Sequence, residues 1–404
     1  MTQTEKVLNA TVIVTALGYL VDVYDILIFN VTRVASLTDL GLTGDAIANT
    51  GLFILNMQLL GLLLGGLFFG IIGDRMGRKQ SLLGSILLYS TATLGCAFVQ
   101  DANTYAALRF LAGFGLAGEV GVGVALITEV MTKEKRTLGL TFFAFIGISG
   151  AVFAAIAAEF LHWRTCYIIG GVAGLLLLVT RSLILESGMY ESIKDKNIRK
   201  GSILFLLKTP ALFKKYVASV LLGMPIFFAI GMIWTFAPEL GAGLNATDKI
   251  SAPIAIGIGY SLMMVGDLVA GMLSHKLKTR KKTIALFLLS SFFLLIYLLT
   301  RGEITPTEYY VVAGLFGISV GYWVNLISLA AEQFGTNMRA TASTSIPNFS
   351  RATLLPMNLL LAEIKPELGI VMSVGIIGLM ALVIASLSLF FLEETHGKDL
   401  NYTN

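Results

Sequence analysis

The sequence predicts an all-α membrane protein: twelve transmembrane helices in two parallel six-helix repeats, with the N- and C-termini cytoplasmic. Three observations carry that prediction. Of 404 residues, 56% are hydrophobic and only 13% charged, with a mean hydropathy of +0.81; a soluble chain carries about 25% charged residues. Apolar runs of about 20 residues, the length that crosses a bilayer at about 1.5 Å per residue, recur from end to end. A polar stretch, Glu191–Lys215, divides the chain near its middle, and the two sides echo each other.

In the first half the runs are Leu8–Thr32, Ile47–Ile72, Ser81–Val99, Thr104–Met131, Leu138–Phe160 and Trp163–Leu185. In the second they are Tyr216–Leu240, Ala252–Leu273, Thr283–Thr300, Tyr309–Ala331, Thr341–Ala362 and Leu368–Leu392. The halves are expected at residues 1–186 and 216–404, with 187–215 a cytoplasmic linker. Forty-two Gly against 8 Pro suits membrane helices whose backbones approach closely. Met1–Lys6 is a short polar lead, and the first run is too long for the apolar core of a signal peptide, so it is kept as a helix.

Orientation follows from the basic residues. With the N-terminus inside, the cytoplasmic segments hold Lys6, Arg75, Arg78, Lys79, Lys133, Lys135, Arg136, the clusters Lys194–Lys215 and Lys276–Lys282, Arg339 and Lys398. The outer segments hold only Arg33, Arg164, Lys249, Arg301 and Lys365. The repeat is visible in Glu129-Val-Met-Thr-Lys-Glu-Lys-Arg136, which parallels Glu332-Gln-Phe-Gly-Thr-Asn-Met-Arg339 about half a chain later. Parallel repeats with a site near the midplane are a known transporter plan.

Several classes are excluded. The net charge of +4 resides in short loops, so topology accounts for it and no nucleic-acid partner is implied. Cys96 and Cys166 lie in apolar runs without metal or redox spacing, and no metal or other cofactor is expected. No Walker loop is present, so ATP does not act directly. Gly147-Ile-Ser149-Gly150 and Gly317-Ile-Ser319-Val-Gly321 imitate serine-hydrolase motifs. The three histidines, His162, His275 and His396, fall at membrane edges or in the tail, out of reach as bases. Small-residue packing is the reading for both, and the chain is not expected to be an enzyme. A channel is disfavoured by two dissimilar halves.

The loop after the second run reads Gly70-Ile-Ile-Gly73-Asp74-Arg75-Met76-Gly77-Arg78-Lys79. It closely resembles the signature loop of the major facilitator superfamily. Trp163-Arg164, Leu185-Glu186-Ser187, Leu392-Glu-Glu-Thr-His-Gly-Lys-Asp-Leu400 and Arg109-Phe-Leu-Ala-Gly-Phe-Gly-Leu-Ala-Gly118-Glu119 resemble its sugar-porter and metabolite:proton-symporter branches. Asp22-Val-Tyr-Asp25 resembles the first helix of proton-coupled phosphate and organic-acid porters. The phosphate pattern has Asp followed by Tyr-Pro in the fourth helix, and Glu119-Val120-Gly121 stands here instead, which argues against phosphate. The resemblance implies the major facilitator fold. It also implies that Gly73, Asp74, Arg75, Gly77 and Arg78 latch the outward-open state, with Asp74 against a neighbouring helix end.

Charges inside the runs are expensive and need a partner, water or a task. Asp25 and Arg109 lie about 10 and 8 Å below the outer ends of their helices, so matching depth pairs them. The sugar-porter resemblance makes such a pair proton-coupling; a static salt bridge is the alternative. Asp22, on the same face as Asp25, and Glu119 lie deeper and are candidate proton carriers or satisfied polar contacts. Arg351, about 15 Å into its helix, suits a carboxylate or phosphate, or else an internal ion pair. Asn348, Asn325 and Asn56 are lesser substrate-binding candidates. Asp267 is read as a gating contact. Glu129, Arg136, Glu332 and Arg339 are read as a gate network at cytosolic helix ends, and Arg181 as snorkelling to the cytosol.

Together these features imply a secondary transporter working by alternating access, a proton-coupled symporter of a small organic anion or metabolite. A sugar or polyol porter is the alternative, and a non-transporting nutrient receptor a third reading. The expected partners are a small-molecule substrate, protons and the lipid bilayer, with the chain a monomer in a bacterial inner (plasma) membrane. The latch gives the first prediction. Asp74→Asn should release the outward-facing bias, seen as altered cysteine accessibility from the two sides. An unchanged pattern on both sides removes the latch role.

Overall fold

The computed structural model describes residues 10–76, 78–117, 136–186, 209–334 and 336–395. Within these, side chains are described except at 10–11, 67, 70–81, 136–141, 183–186, 331, 336–341 and 343–344. Every regular element among them is helical. The chain forms two compact units, Met1–Asn197 and Ile198–Asn404. The first contains α1 (Ala10–Asp39), α2 (Asp45–Met76), α3 (Arg78–Cys96), α4 (Ala102–Leu116), α5 (Arg136–Phe160) and α6 (Trp163–Glu186). The second contains α7 (Pro210–Leu221), α8 (Met224–Phe228), a π-helical turn (Ala229–Trp234), α9 (Ala237–Gly243), α10 (Ala252–Leu277) and α11 (Arg280–Thr300). It continues with α12 (Pro306–Val320), α13 (Trp323–Glu332), α14 (Thr336–Ala352) and α15 (Leu354–Phe391).

Nine segments of the described residues are long and apolar enough to cross a membrane. The last of them, Ser345–Phe391, runs 47 residues. It bends at Gly369, whose φ of 72° only glycine adopts cheaply, so it makes two crossings. Adding α3 and α4 gives the twelve helices expected. Capping explains several starts. Asp101 accepts from the backbone of Asn103 and Thr104 at 3.0 and 2.9 Å, meeting donors that a helix N-terminus leaves orphaned. Those bonds, from Thr104 above all, hold its carboxyl below its usual range. Ser251, Thr279 and Thr305 cap α10, α11 and α12 in the same way.

Three places differ from the hydropathy reading. α1 continues seven residues past Thr32, so Arg33 is a buried helix residue, not a loop cation, and its stem packs on Gly51. The seventh crossing is interrupted. Pro225 lacks the N–H that would continue the ladder, and beyond it Thr235 bonds back five residues to Ile230 at 3.1 Å. The tenth crossing breaks at Gly321-Tyr322, where Gly321 lies backbone to backbone against Gly266 of α10.

Glycine makes the close packing possible. A Cβ at Gly61 would stand 2.1 Å from the Phe110 carbonyl oxygen, and one at Gly113 would stand 2.2 Å from that of Gln58. α2 and α4 therefore touch through their backbones. Gly150 presses α5 onto Leu20 of α1 in the same manner, and Gly317 presses α12 onto Gly259 of α10. The neighbouring serines are engaged: Ser149 donates to Ile146 O at 2.6 Å, and Ser319 to Phe316 O at 2.9 Å. Gly61→Ala must push the two backbones apart, and overpacking of this kind costs about 1–3 kcal/mol. The expected outcome is a lower unfolding temperature in detergent. Gly84→Ala, where a Cβ meets nothing within 4 Å, should not lower it.

Candidate functional site

In the first unit the charged pair lies where α1, α2, α3 and α4 meet. Arg109 Nη1 donates to Asp25 Oδ1 at 2.8 Å, with both side chains at most 1% exposed. Nη2 donates to the Asp25 carbonyl at 2.7 Å, and Nε to Gln58 Oε1 at 3.3 Å. Thr93 Oγ1 reaches the other carboxylate oxygen at 2.6 Å, so both oxygens of Asp25 have a donor. Gln58 in turn donates to Ile26 O at 2.9 Å, which orients its carbonyl toward Arg109. The Tyr167 ring lies 5.8 Å from the guanidinium, and Tyr105 donates to the Tyr167 hydroxyl at 2.7 Å.

This arrangement stores two opposite charges out of water at the cost of near-complete satisfaction. Removing one partner from such a pair typically costs about 3–5 kcal/mol, because the other is stranded. Asp22, one turn earlier on α1, is buried at 1% exposure. Arg181 does not reach out to the cytosol: it is 7% exposed, and its guanidinium lies against Gly18 of α1. Glu119 lies outside the described residues.

The second unit handles its membrane arginine differently. Arg351, in the last turn of α14, is half-buried, and its guanidinium lies 6.0 Å from the centre of the Phe227 ring. Among the described residues it has neither a carboxylate nor a hydrogen-bond partner. Asn348, three residues earlier and therefore on the same face, has a buried Oδ1 without a hydrogen-bond partner. Phe227 meets Trp323 edge to face at 5.7 Å. Trp323 opens α13 beyond the break in the tenth crossing, and the next residue, Val324, donates its N–H to Asp267 Oδ1 at 3.1 Å. Asp267 Oδ2 is buried without a partner.

The remaining predicted residues divide. Asn325 is buried and donates to Ala270 O at 2.9 Å, which ties α13 to α10. Asn56 is half-buried on α2. Glu332 bridges Arg280 at 2.8 Å, a pairing inside its own unit that the sequence did not suggest. Beside it, Glu394 accepts from the Thr279 hydroxyl and from the backbone of Arg280 and Lys281 at 3.1 Å. Lys281 Nζ reaches Leu392 O at 2.6 Å, and Gln333 reaches Glu393 O at 2.8 Å. Gly77 and Glu129 lie outside the described residues, as do the side chains of Gly73, Asp74, Arg75, Arg78, Arg136 and Arg339. Sequence reasoning missed Thr93, Gln58, Phe227 and Trp323. Gln58 alone carried a signal, as a strongly polar residue inside an apolar run.

A helical membrane protein with a buried acid–arginine pair in one unit, and in the other an arginine unpaired among the described residues, fits a solute carrier. The Major Facilitator Superfamily profile matches residues 15–352, and the chain belongs to that superfamily. It is a transporter and not an enzyme. A Haemophilus influenzae protein provisionally named for metabolite transport is 25% identical across 96% of each chain. The benzoate transport protein of Acinetobacter baylyi is 24% identical over 82% of this chain and 78% of that one. The crystal structure of a D-xylose–proton symporter superposes with a TM-score of 0.69 at 18% identity, covering 96% of this chain and 99% of that one.

Thr93→Val is nearly isosteric and leaves Arg109 in place, but it removes the 2.6 Å donor to Asp25. A buried acceptor so deprived costs about 1–3 kcal/mol. The unfolding temperature in detergent should fall accordingly, and an unchanged value shows that the hydroxyl contributes nothing.

Proposed function

We propose that the protein is a proton-coupled symporter that imports a small organic anion by alternating access, with both termini in the cytoplasm of a bacterial inner membrane. One observation carries the reading: two of its interior arginines, one in each unit, are treated oppositely. Arg109 is saturated by Asp25, Gln58 and a backbone carbonyl, whereas Arg351 has, among the described residues, an aromatic ring beside it and no acid or hydrogen-bond partner. A saturated pair suits a switch that opens once per cycle. An unpaired cation in the low-dielectric interior suits an anionic cargo, which supplies the missing charge.

In this reading Asp25 takes the proton when Arg109 releases it, with Asp22 and Glu119 as further proton-accepting groups. Arg351 and Asn348 hold the anion, and the Asp74 loop sets the access state. The relation to a benzoate transport protein supports an organic-acid cargo.

The test begins with a thermal-shift screen of the purified protein against organic acids and sugars at two pH values. The strongest acid then serves as radiolabelled probe in proteoliposomes. Asp25→Asn should abolish uphill uptake driven by a proton gradient while counterflow exchange partly survives. Loss of both activities makes the pair a structural bridge, and a screen answered only by sugars moves the sugar-porter reading ahead.

A further inference from the structure

We infer that the second unit contains a subsite for an aromatic monocarboxylate, formed by Arg351, Asn348, Phe227 and Trp323. The inference rests on the organic-anion reading above and narrows it. Two irregular stretches of backbone meet here. The seventh crossing carries a π-helical turn that begins at Ala229, just past Phe227 and Phe228, and the tenth crossing is broken directly before Trp323. Single π turns collect at functional sites, and interrupted membrane helices persist where they line a binding site. The protein gives up regular helix twice around one pair of rings.

The polar groups at this place are unspent. Arg351 has no acid partner among the described residues, and Asn348 Oδ1 is buried and unpartnered on the same face of α14. A planar guanidinium takes a carboxylate through two parallel hydrogen bonds. The Asn348 amide, in either orientation, adds one polar contact to the carboxylate or to a ring substituent. Trp323, Asn348 and Arg351 each keep part of their surface open, while Phe227 is 6% exposed and acts as the floor.

The flanking surface selects the rest of the ligand. Beside the guanidinium lie a phenyl ring at 6.0 Å and, edge-on to that ring at 5.7 Å, an indole. An aromatic ring extends this edge-to-face arrangement, and a saturated ring of equal size does not. A dicarboxylate is disfavoured, since Arg351 is the one basic residue inside the predicted runs of this half.

The experiment uses two matched pairs of probes, benzoate with cyclohexanecarboxylate and phenylacetate with cyclohexylacetate. Binding to the full chain in detergent is measured by calorimetry. Wild type should bind the aromatic member of each pair about fivefold or more tightly. Phe227→Leu and Trp323→Leu should bring the pairs level, and Phe227→Tyr should retain the preference. Continued binding of the cyclohexane members reports that the variants are folded. Arg351→Lys should weaken all four ligands, and Arg351→Gln should weaken them further. Equal binding within both pairs by wild type, or a preference that survives both leucine variants, overturns the aromatic subsite and leaves the organic-anion reading standing. No binding of any of the four acids also overturns it. Binding that Arg351→Gln leaves unchanged overturns both.

Discussion

The ion pair between Asp25 and Arg109 is the constraint around which the first unit is arranged. Two charges at 2.8 Å, each at most 1% exposed, need their remaining hydrogen bonds satisfied within the fold. That demand fixes Gln58 on α2 and Thr93 on α3, and it holds four helices in one relative register. The glycines follow from the same demand. Arg109 reaches the Asp25 carbonyl only if α4 lies tightly against its neighbours, and Gly61 and Gly113 allow α2 and α4 to touch through their backbones. Bulkier residues there would lengthen the very bonds that make the buried charges tolerable.

The second unit solves the opposite problem. Among the described residues Arg351 is not neutralised by a neighbouring acid, and regular helix is abandoned at Pro225, at the π turn and at Gly321. A static bundle gains nothing from such an arrangement. In the proposed function, charge left unmatched beside irregular backbone is a cost that binding a ligand recovers.

Much of this was legible in the sequence, because hydropathy reports span length and basic residues report loops. Depth arithmetic brought Asp25 and Arg109 together, since two helices that cross the same slab place equal heights side by side. The irregularities were not legible. Pro225 and Pro238 stand in an apolar run that reads as one continuous helix, and hydropathy has no term for hydrogen-bond register. Arg33 and Arg181 were assigned to the membrane edges by their charge, yet each lies along a helix at a glycine, Gly51 and Gly18, where room exists only in three dimensions. Thr93 is one of many hydroxyls in apolar runs, and nothing local marks the one that meets a carboxylate.

The bonds made by Glu394 bear on how the chain is synthesised. The first turn of α11 exposes donors at Arg280 and Lys281 whose acceptor is encoded 114 and 113 residues later. At about 5–20 residues per second, ribosomes take several seconds to cover that distance. Throughout that interval the start of the ninth crossing relies on water and its own Thr279 cap. The second unit is therefore fastened last, by residues just beyond its final helix, and a ribosome stalled before residue 394 leaves that fastening open.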